Sequence, residues 1–382
     1  MYLEYAIRGS WAPVLSARLL GPLGMSAKQA GWIYAMYPLA CIISPLIAGQ
    51  LADRWIATEW LLGAMHLVSA VALLAAARTA TFWPMFALMG LHCLFFAPSL
   101  GLVNSLVFSH LNNPEVEYFW VRMWAAFGWM SIGWVLSIWR RSGIFAFRGS
   151  DALLLGAMLS FAMAVFCPLC LPHTPPPGGS DWESSWNAIV TLLNKPNVLV
   201  FLGISLIVFT QLQFYYFGTS KFLEDIGFRH ANVPALMSVA QLAEVVATGQ
   251  VMPWILPRIG HQWTLAIGPL LWALLYAAYI VQRPRWLVIA AMGLHGFAFA
   301  FFFDGAIVYI NHVAAPEIRG TAQSLYTVVT IGCGLFLGIH FTGFVMDRLR
   351  REGKHRWQLI FTTPCIVLAL CALTFIIFFT EQ

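Results

Sequence analysis

Of 382 residues, 10% are Asp, Glu, Lys or Arg and 60% are apolar, with a mean hydropathy of +0.75. A soluble domain carries roughly 25% charged residues, so this chain cannot cover a water-facing surface and must be solvated mostly by lipid. The net charge of +5 comes from basic residues scattered mostly through loops, which is ordinary membrane-flanking charge and not a nucleic-acid-binding stripe.

A spanning helix needs about 20 apolar residues. Apolar runs read against breakers predict spans at 1–20, 29–51, 60–77, 82–108, 116–139 and 152–171, then at 198–222, 231–256, 263–281, 286–312, 318–346 and 358–380. No length remains for a separate soluble domain. No cleavable leader is expected, because the first apolar run leads into the second span without a small-residue cleavage site. Span one begins at Met1 with no flanking segment, and we expect a few residues to be missing before it.

Residues 173–196 divide the chain into an N-terminal six-helix half, 1–172, and a C-terminal six-helix half, 197–382. This linker opens with Pro175-Pro176-Pro177-Gly178-Gly179, which cannot be helical. Ser180 and Glu183 then make a capping-box pattern. Trp182, Trp186, Ile189, Val190 and Leu193 follow at helical spacing, so a short amphipathic helix is expected at the membrane surface.

The halves repeat. Met89-Gly90-Leu91-His92 in span four recurs as Met292-Gly293-Leu294-His295 in span ten, 203 positions later. His110 and Pro114-Glu115-Val116 recur as His312 and Pro316-Glu317-Ile318 at an offset of 202; Arg54 and Trp60 recur as Arg258 and Trp263 at 204 and 203. Two six-helix halves in parallel repeat resemble the major facilitator architecture. Polarity agrees: spans three, six, nine and twelve hold no Asp, Glu, Lys or Arg in their interiors, and His66 is their one imidazole. In that architecture the third helix of each triplet faces lipid while the others line a central cavity.

An ionisable group in hydrocarbon is costly unless it is paired or faces water. Glu244 lies about 20 Å along span eight, near the midplane, with Gln241 one turn earlier on the same face. A carboxylate there is desolvated and can exchange a proton near neutral pH, or can serve in a salt bridge between helices. Arg122, in span five, cannot discharge and needs an acidic partner or anionic ligand. Asp304 in span ten lies at comparable depth, so an Arg122–Asp304 pair is expected, either as a gate or as a permanent strut. Span seven presents Gln211, Gln213, Tyr215 and Tyr216, a set that binds flat polar solutes or simply glues helices. Asn104 in span four is a further candidate for the cavity. His92, His295 and His340 are read first as packing histidines, with proton relay as the alternative. Glu4 and Arg8, four apart in span one, are expected to neutralise each other. The seven cysteines fall nearly all in apolar runs, and Cys167-Pro-Leu-Cys170 has no second pair, so neither metal nor redox work is expected. With no phosphate-binding loop, zinc signature or nucleophile elbow in the chain, an ATP-driven pump is excluded and no cofactor is expected.

At these residues the chain resembles the nucleoside:proton symporter family of the major facilitator superfamily. The resemblance runs over nearly the whole chain. It rests on Gly9-Ser10-Trp11, on Gly49-Gln50-Leu51-Ala52-Asp53-Arg54-Trp55 closing span two, and on the 98–104 segment. It continues through Arg122-Met123-Trp124, Gln241-Leu242-Ala243-Glu244 and Pro316-Glu317-Ile318-Arg319. The resemblance implies proton-driven nucleoside uptake in a bacterial inner membrane with both termini cytoplasmic, and no enzymatic activity. It implies that Arg122, Gln213, Gln241 and Glu244 form the binding and coupling site, with Asp53 and Arg54 a structural loop motif. Two positions depart from the family. Ala300 stands where an acidic residue is typical in span ten, and Asp304, about 6 Å further along the helix, is the expected substitute. Tyr216 stands where an amide can occur in span seven. The basic residues run against the implied orientation: of the 21, only Arg54, Lys195, Arg258 and Arg319 fall in loops on the cytoplasmic side, and fourteen fall in loops on the other.

The leading expectation is therefore a twelve-helix, all-α carrier of nucleosides and protons working by alternating access. The substrate set is Arg122, Gln213, Tyr216, Gln241, Glu244 and Asn104, with Glu244, Asp304 and Arg122 coupling or gating. A carrier of sugars or other polar metabolites, or an uncoupled facilitator, is the alternative on the same fold. A polytopic membrane enzyme would need acid, base or metal groups converging at one membrane face, and here they spread from midplane to loop.

Overall fold

The computed structural model describes residues 1–20, 22–25, 27–142, 150–176, 187, 190–228, 233–351 and 354–379. Most of the expected linker helix, including Ser180, Trp182, Glu183, Trp186 and Ile189, lies outside the described residues.

Among the described residues nine helical stretches are long and apolar enough to cross a membrane. One of them, Leu236–Val281, has 46 residues. At 1.5 Å per residue it would extend about 70 Å, twice what a bilayer core of about 30 Å requires. It is broken at Gly260, whose φ of 74° and ψ of 178° are not helical, so it makes two crossings, spans eight and nine. The 29-residue helix Pro114–Ser142 is span five, and the pair Tyr2–Trp11 and Leu15–Leu20 is span one, giving twelve. Apart from a two-residue ladder, Arg350–Arg351 against Lys354–His355, the described regular structure is helical.

Apolar side chains are exposed all around the helices, among them Ile138, Phe161, Leu169, Phe344 and Leu370. In water such a surface would aggregate; in lipid it is the solvated face. Exposed Trp55, Trp60, Trp83, Trp254, Trp263 and Trp286 sit at span ends, where indole rings settle at the headgroup level. Trp83 and Trp286 extend the 203-residue repeat.

Prolines divide two of the expected spans. Span one, read as continuous over 1–20, breaks at Ala12-Pro13-Val14, because Pro13 lacks an N–H and its ring crowds the preceding turn. Span four is split at Ala97-Pro98 into Phe82–Phe96 and Ser99–Ser109.

The described residues group into two compact units: Met1–Leu111, Trp124–Ala188 and Ala314–Val328 in the first, Asn112–Met123, Ile189–Val313 and Val329–Gln382 in the second. Each unit is built the same way. Span three packs on span six in the first as span nine packs on span twelve in the second, and span two packs on four as eight packs on ten. The chain changes units inside spans five and eleven. The first turns of span five group with C-terminal helices, and the first turns of span eleven, Arg319–Thr327, pack on span two.

Among the described residues, four π-helical turns interrupt the second half: Phe214–Gly218 in span seven, Ala247–Val251 in eight, Ala300–Asp304 in ten and Val328–Gly334 in eleven. The lipid-facing spans nine and twelve have none among their described residues. Single π turns concentrate at functional sites because the extra residue redirects the side chains that follow.

Candidate transport site

Arg122 stands two turns into span five with only 1% of its side chain exposed. Its Nε lies 2.7 Å from Asp304 Oδ1, and Asp304 is fully buried. A second carboxylate, Glu244, approaches Nη2 at 3.6 Å and is 14% exposed. Thr248, one turn beyond Glu244, donates its hydroxyl to Asp304 Oδ2 at 2.8 Å. The guanidinium also lies over the rings of Phe299 and Phe303, at 5.9 and 5.7 Å, so cation–π attraction adds to its fixation.

The backbone explains this convergence. Asp304 ends the π turn of span ten and Thr248 lies within that of span eight; the two π turns touch. One helical turn or more towards the other end, a Cβ on Gly296 would run into the Ala240 carbonyl oxygen and the Glu244 amide. Only glycine allows spans eight and ten to approach this closely, and the approach brings Glu244 to its partners.

One guanidinium faces two carboxylates. Arg122 can neutralise one of them, and Asp304, nearest and fully buried, takes that role. The surplus negative charge falls on Glu244, which alone of the three retains measurable exposure. A single proton cancels it.

Span ten carries an aromatic stripe at helical spacing, His295, Phe299 and Phe303, with successive ring centroids 6.4 and 4.7 Å apart. Tyr215 stacks on His295 at 3.7 Å, and Tyr216 meets its edge at 5.7 Å. Trp272 Nε1 donates to His295 Nδ1 at 3.0 Å. An indole can only donate, so Nδ1 accepts and the neutral ring carries its proton on Nε2. The stripe joins the tyrosines of span seven to the ion triad.

The remaining expected residues fall as follows. Gln213 is buried in span seven, its side chain against Gly338 of span eleven. Gln241 is half-buried one turn before Glu244, and Tyr216 is half exposed. Gln211 donates its side-chain amide to the Thr210 hydroxyl at 2.7 Å, and its backbone carbonyl accepts from Tyr276 at 3.1 Å. Asn104 is buried in the first unit, whereas Arg122, Gln213, Tyr216, Gln241, Glu244 and Asp304 all belong to the second. His340 is exposed.

Asp53 in the first unit ties span two to span eleven. Its Oδ2 accepts from the backbone N–H of Thr321 at 2.9 Å and from its hydroxyl at 2.5 Å, and Gln50 donates to the same hydroxyl at 2.8 Å. Thr321 lies in the first turn of Arg319–Thr327, so Asp53 serves as a cap borrowed from another helix, where a negative charge also meets the positive end of the helix dipole. Arg54 follows it, half-buried, at the end of span two.

Glu4 does not pair with Arg8. It accepts from Ser99 at 2.5 Å and meets His66 Nε2 at 2.9 Å, both partners fully buried. Arg8 instead reaches the Tyr37 hydroxyl at 3.0 Å and lies over the Tyr37 ring. On the far side of the ring, His66 Nδ1 lies 3.4 Å from the Ser160 hydroxyl, which is 3.1 Å from the Ser69 hydroxyl, and Ser69 in turn is 2.7 Å from His92 Nδ1. Sequence reasoning missed Thr248 and the Glu4–His66 pair. Thr248 stands four residues after Glu244, a spacing that could have found it. His66 carried no signal, since its partner is 62 positions away.

Twelve spans in two repeated units, with one guanidinium and two carboxylates meeting inside the membrane, define a secondary transporter of the major facilitator type. The fold recurs in the E. coli fucose:proton symporter, at a TM-score of 0.75 and 12% identity over 100% of this chain and 98% of that one. The chain belongs to the nucleoside H+ symporter family, whose profile matches residues 1–382. It is 26% identical to the nucleoside permease NupG of Escherichia coli K12 over 96% of this chain and 92% of the permease. It is also 26% identical to the xanthosine permease of the same organism, over 94% and 89%. The crystal structure of NupG superposes at a TM-score of 0.70 with 25% identity, covering 100% and 97% of the two chains.

Proposed function

We propose that this integral membrane protein, with an N-terminal half 1–172 and a C-terminal half 197–382, takes up nucleosides together with protons by alternating access. The observation that carries the reading is the Arg122–Asp304–Glu244 triad, buried and one negative charge in excess. A carrier driven by protons needs a group whose charge state changes the energy of the buried site, and this triad is such a group. Family membership supplies the solute class, and the aromatic side chains of spans seven and ten match it: a flat base stacks on Tyr216 or Phe299. Arg122, Gln213, Gln241 and Asn104 supply hydrogen bonds suited to base edges and ribose hydroxyls. Glu244 takes the proton, Asp304 holds Arg122, and Asp53 with Arg54 latches span two to span eleven.

Uptake of labelled uridine and adenosine into proteoliposomes tests the reading. An inward proton gradient is expected to accelerate both, and an excess of unlabelled nucleoside, but not of a disaccharide, is expected to compete. Folded protein that moves neither nucleoside would remove the substrate assignment.

The location is a bacterial inner membrane with both termini in the cytoplasm, in line with the family and against the count of basic loop residues. A cysteine placed at Arg350 is expected to react with an impermeant thiol reagent added outside intact cells. Protection of that position reverses the orientation.

A further inference from the structure

The triad leaves one cluster of titratable groups unused. Glu115 lies in the first turn of span five, His261 directly follows the break at Gly260 that opens span nine, and His312 lies in the last turn of Gly305–Val313 in span ten. Glu115 Oε1 is 3.7 Å from His261 Nε2 and 3.7 Å from His312 Nδ1, and the ligand atoms of all three lie within 4.8 Å of one another. The two imidazole rings are 5.3 Å apart, tilted by 44°.

These distances are too long for hydrogen bonds, yet they suit a shared ion. With metal–ligand bonds of about 2.1 Å, two ligand atoms 3.7 Å apart subtend an angle of roughly 120° at the metal. Two imidazoles and one carboxylate make the donor set that zinc and neighbouring transition metals prefer; magnesium and calcium take all-oxygen sets. The scaffold is firm on one side. His261 is buried, held edge-on to Tyr309 at 5.5 Å, and positioned by Gly260, whose positive φ only glycine adopts readily. Thr264 donates to the Gly260 carbonyl at 2.7 Å and braces the same break. The other side is open, because Glu115 and His312 are both exposed, leaving access for an ion and room for water as a further ligand. The trio is not a by-product of the repeat. The position 203 residues before His261 is Thr58, and His110, the counterpart of His312, bonds Thr174 at 2.8 Å.

We propose that Glu115, His261 and His312 form a binding site for a divalent transition metal of the zinc class, which fastens the first turn of span five to spans nine and ten. An ion held by three helices favours the arrangement in which they meet. It therefore slows any cycle that must part them, a consequence that rests on the transport reading above; the binding itself does not.

Calorimetric titration of the full-length, untagged protein in detergent with zinc chloride tests the site. One ion per chain is expected, with affinity lowered at least about tenfold in His312→Ala and in Glu115→Gln, and unchanged in His340→Ala, which removes an exposed histidine elsewhere. Both cluster variants alter exposed side chains. Their melting curves without zinc should match that of the wild type, and zinc should raise the melting temperature of the wild type and of His340→Ala but not of the two cluster variants. Absence of zinc binding, or equal binding by His312→Ala and Glu115→Gln, overturns the proposal. In proteoliposomes, zinc is expected to slow nucleoside uptake by the wild type and not by His312→Ala. Binding that depends on the cluster, in protein that moves no nucleoside at all, upholds the metal site and counts against the transport reading.

Discussion

Proteoliposomes containing Glu244→Gln are expected to equilibrate uridine across the membrane without accumulating it. In the wild type one guanidinium serves two carboxylates, and Asp304 at 2.7 Å is the closer partner. Glu244 at 3.6 Å holds the surplus charge and keeps contact with the surroundings. Occupying the site with both carboxylates ionised and one of them unpaired is costly in a low dielectric, so on the proposed reading loading of substrate is coupled to protonation of Glu244. A gradient of one pH unit carries about 1.4 kcal/mol per proton, enough for about tenfold accumulation at one proton per nucleoside. The glutamine keeps the shape and loses the charge. Its triad is neutral at every pH of the experiment, so the accumulation ratio should fall from about ten to about one while exchange of internal for external uridine continues. Full accumulation by Glu244→Gln would move the proton elsewhere, with the Glu4–His66 pair of the first unit the next group to replace.

Arg122→Met should abolish uptake and be the most destabilising single change in the site. It leaves Asp304, fully buried, and Glu244 facing each other with no cation. Breaking a buried pair by removing one partner costs roughly 3–5 kcal/mol, which corresponds to a melting temperature lower by ~5 °C for a chain of 382 residues. The double variant Arg122→Met, Asp304→Leu removes both charges and is expected to regain most of that stability, without regaining gradient-driven uptake. A single variant as stable as the wild type would mean that Arg122 and Asp304 are not a buried ion pair in the folded protein. Recovery of uptake in the double variant would reduce the pair to a strut.

Much of this site was legible before any coordinate. A guanidinium in an apolar span must find an anion, and Asp304 lay at matching depth, so the pair followed from charge balance. Glu244 was placed in the same set by the family resemblance rather than by charge balance. Glu244 reaches Arg122 because Gly296 lets two helices close up, and a glycine in an apolar run gives no sign of which backbone it will touch. The π turns were equally hidden, since hydropathy is blind to whether an N–H reaches back four residues or five. Glu4 illustrates the opposite failure. Spacing of four within one helix suggested Arg8, but a buried histidine 62 positions away offered a drier and better-shaped partner. The zinc-class cluster draws on positions 115, 261 and 312, a separation that no spacing rule covers.

The amino-acid sequence by itself determined that the protein lives in lipid, that it crosses the membrane about twelve times, and that its two halves share one plan. These properties are sums over many residues, and composition, hydropathy and a constant repeat offset record sums directly. Only the tertiary structure decided that Glu244 closes on the Arg122–Asp304 pair and that Glu4 meets His66, that the first turns of spans five and eleven group with helices of the opposite sequence half, and where Asp53 finds a helix to cap. Those outcomes depend on single contacts between residues hundreds of positions apart. A contact of 2.7 Å is set by how closely two backbones pack, which local sequence does not encode.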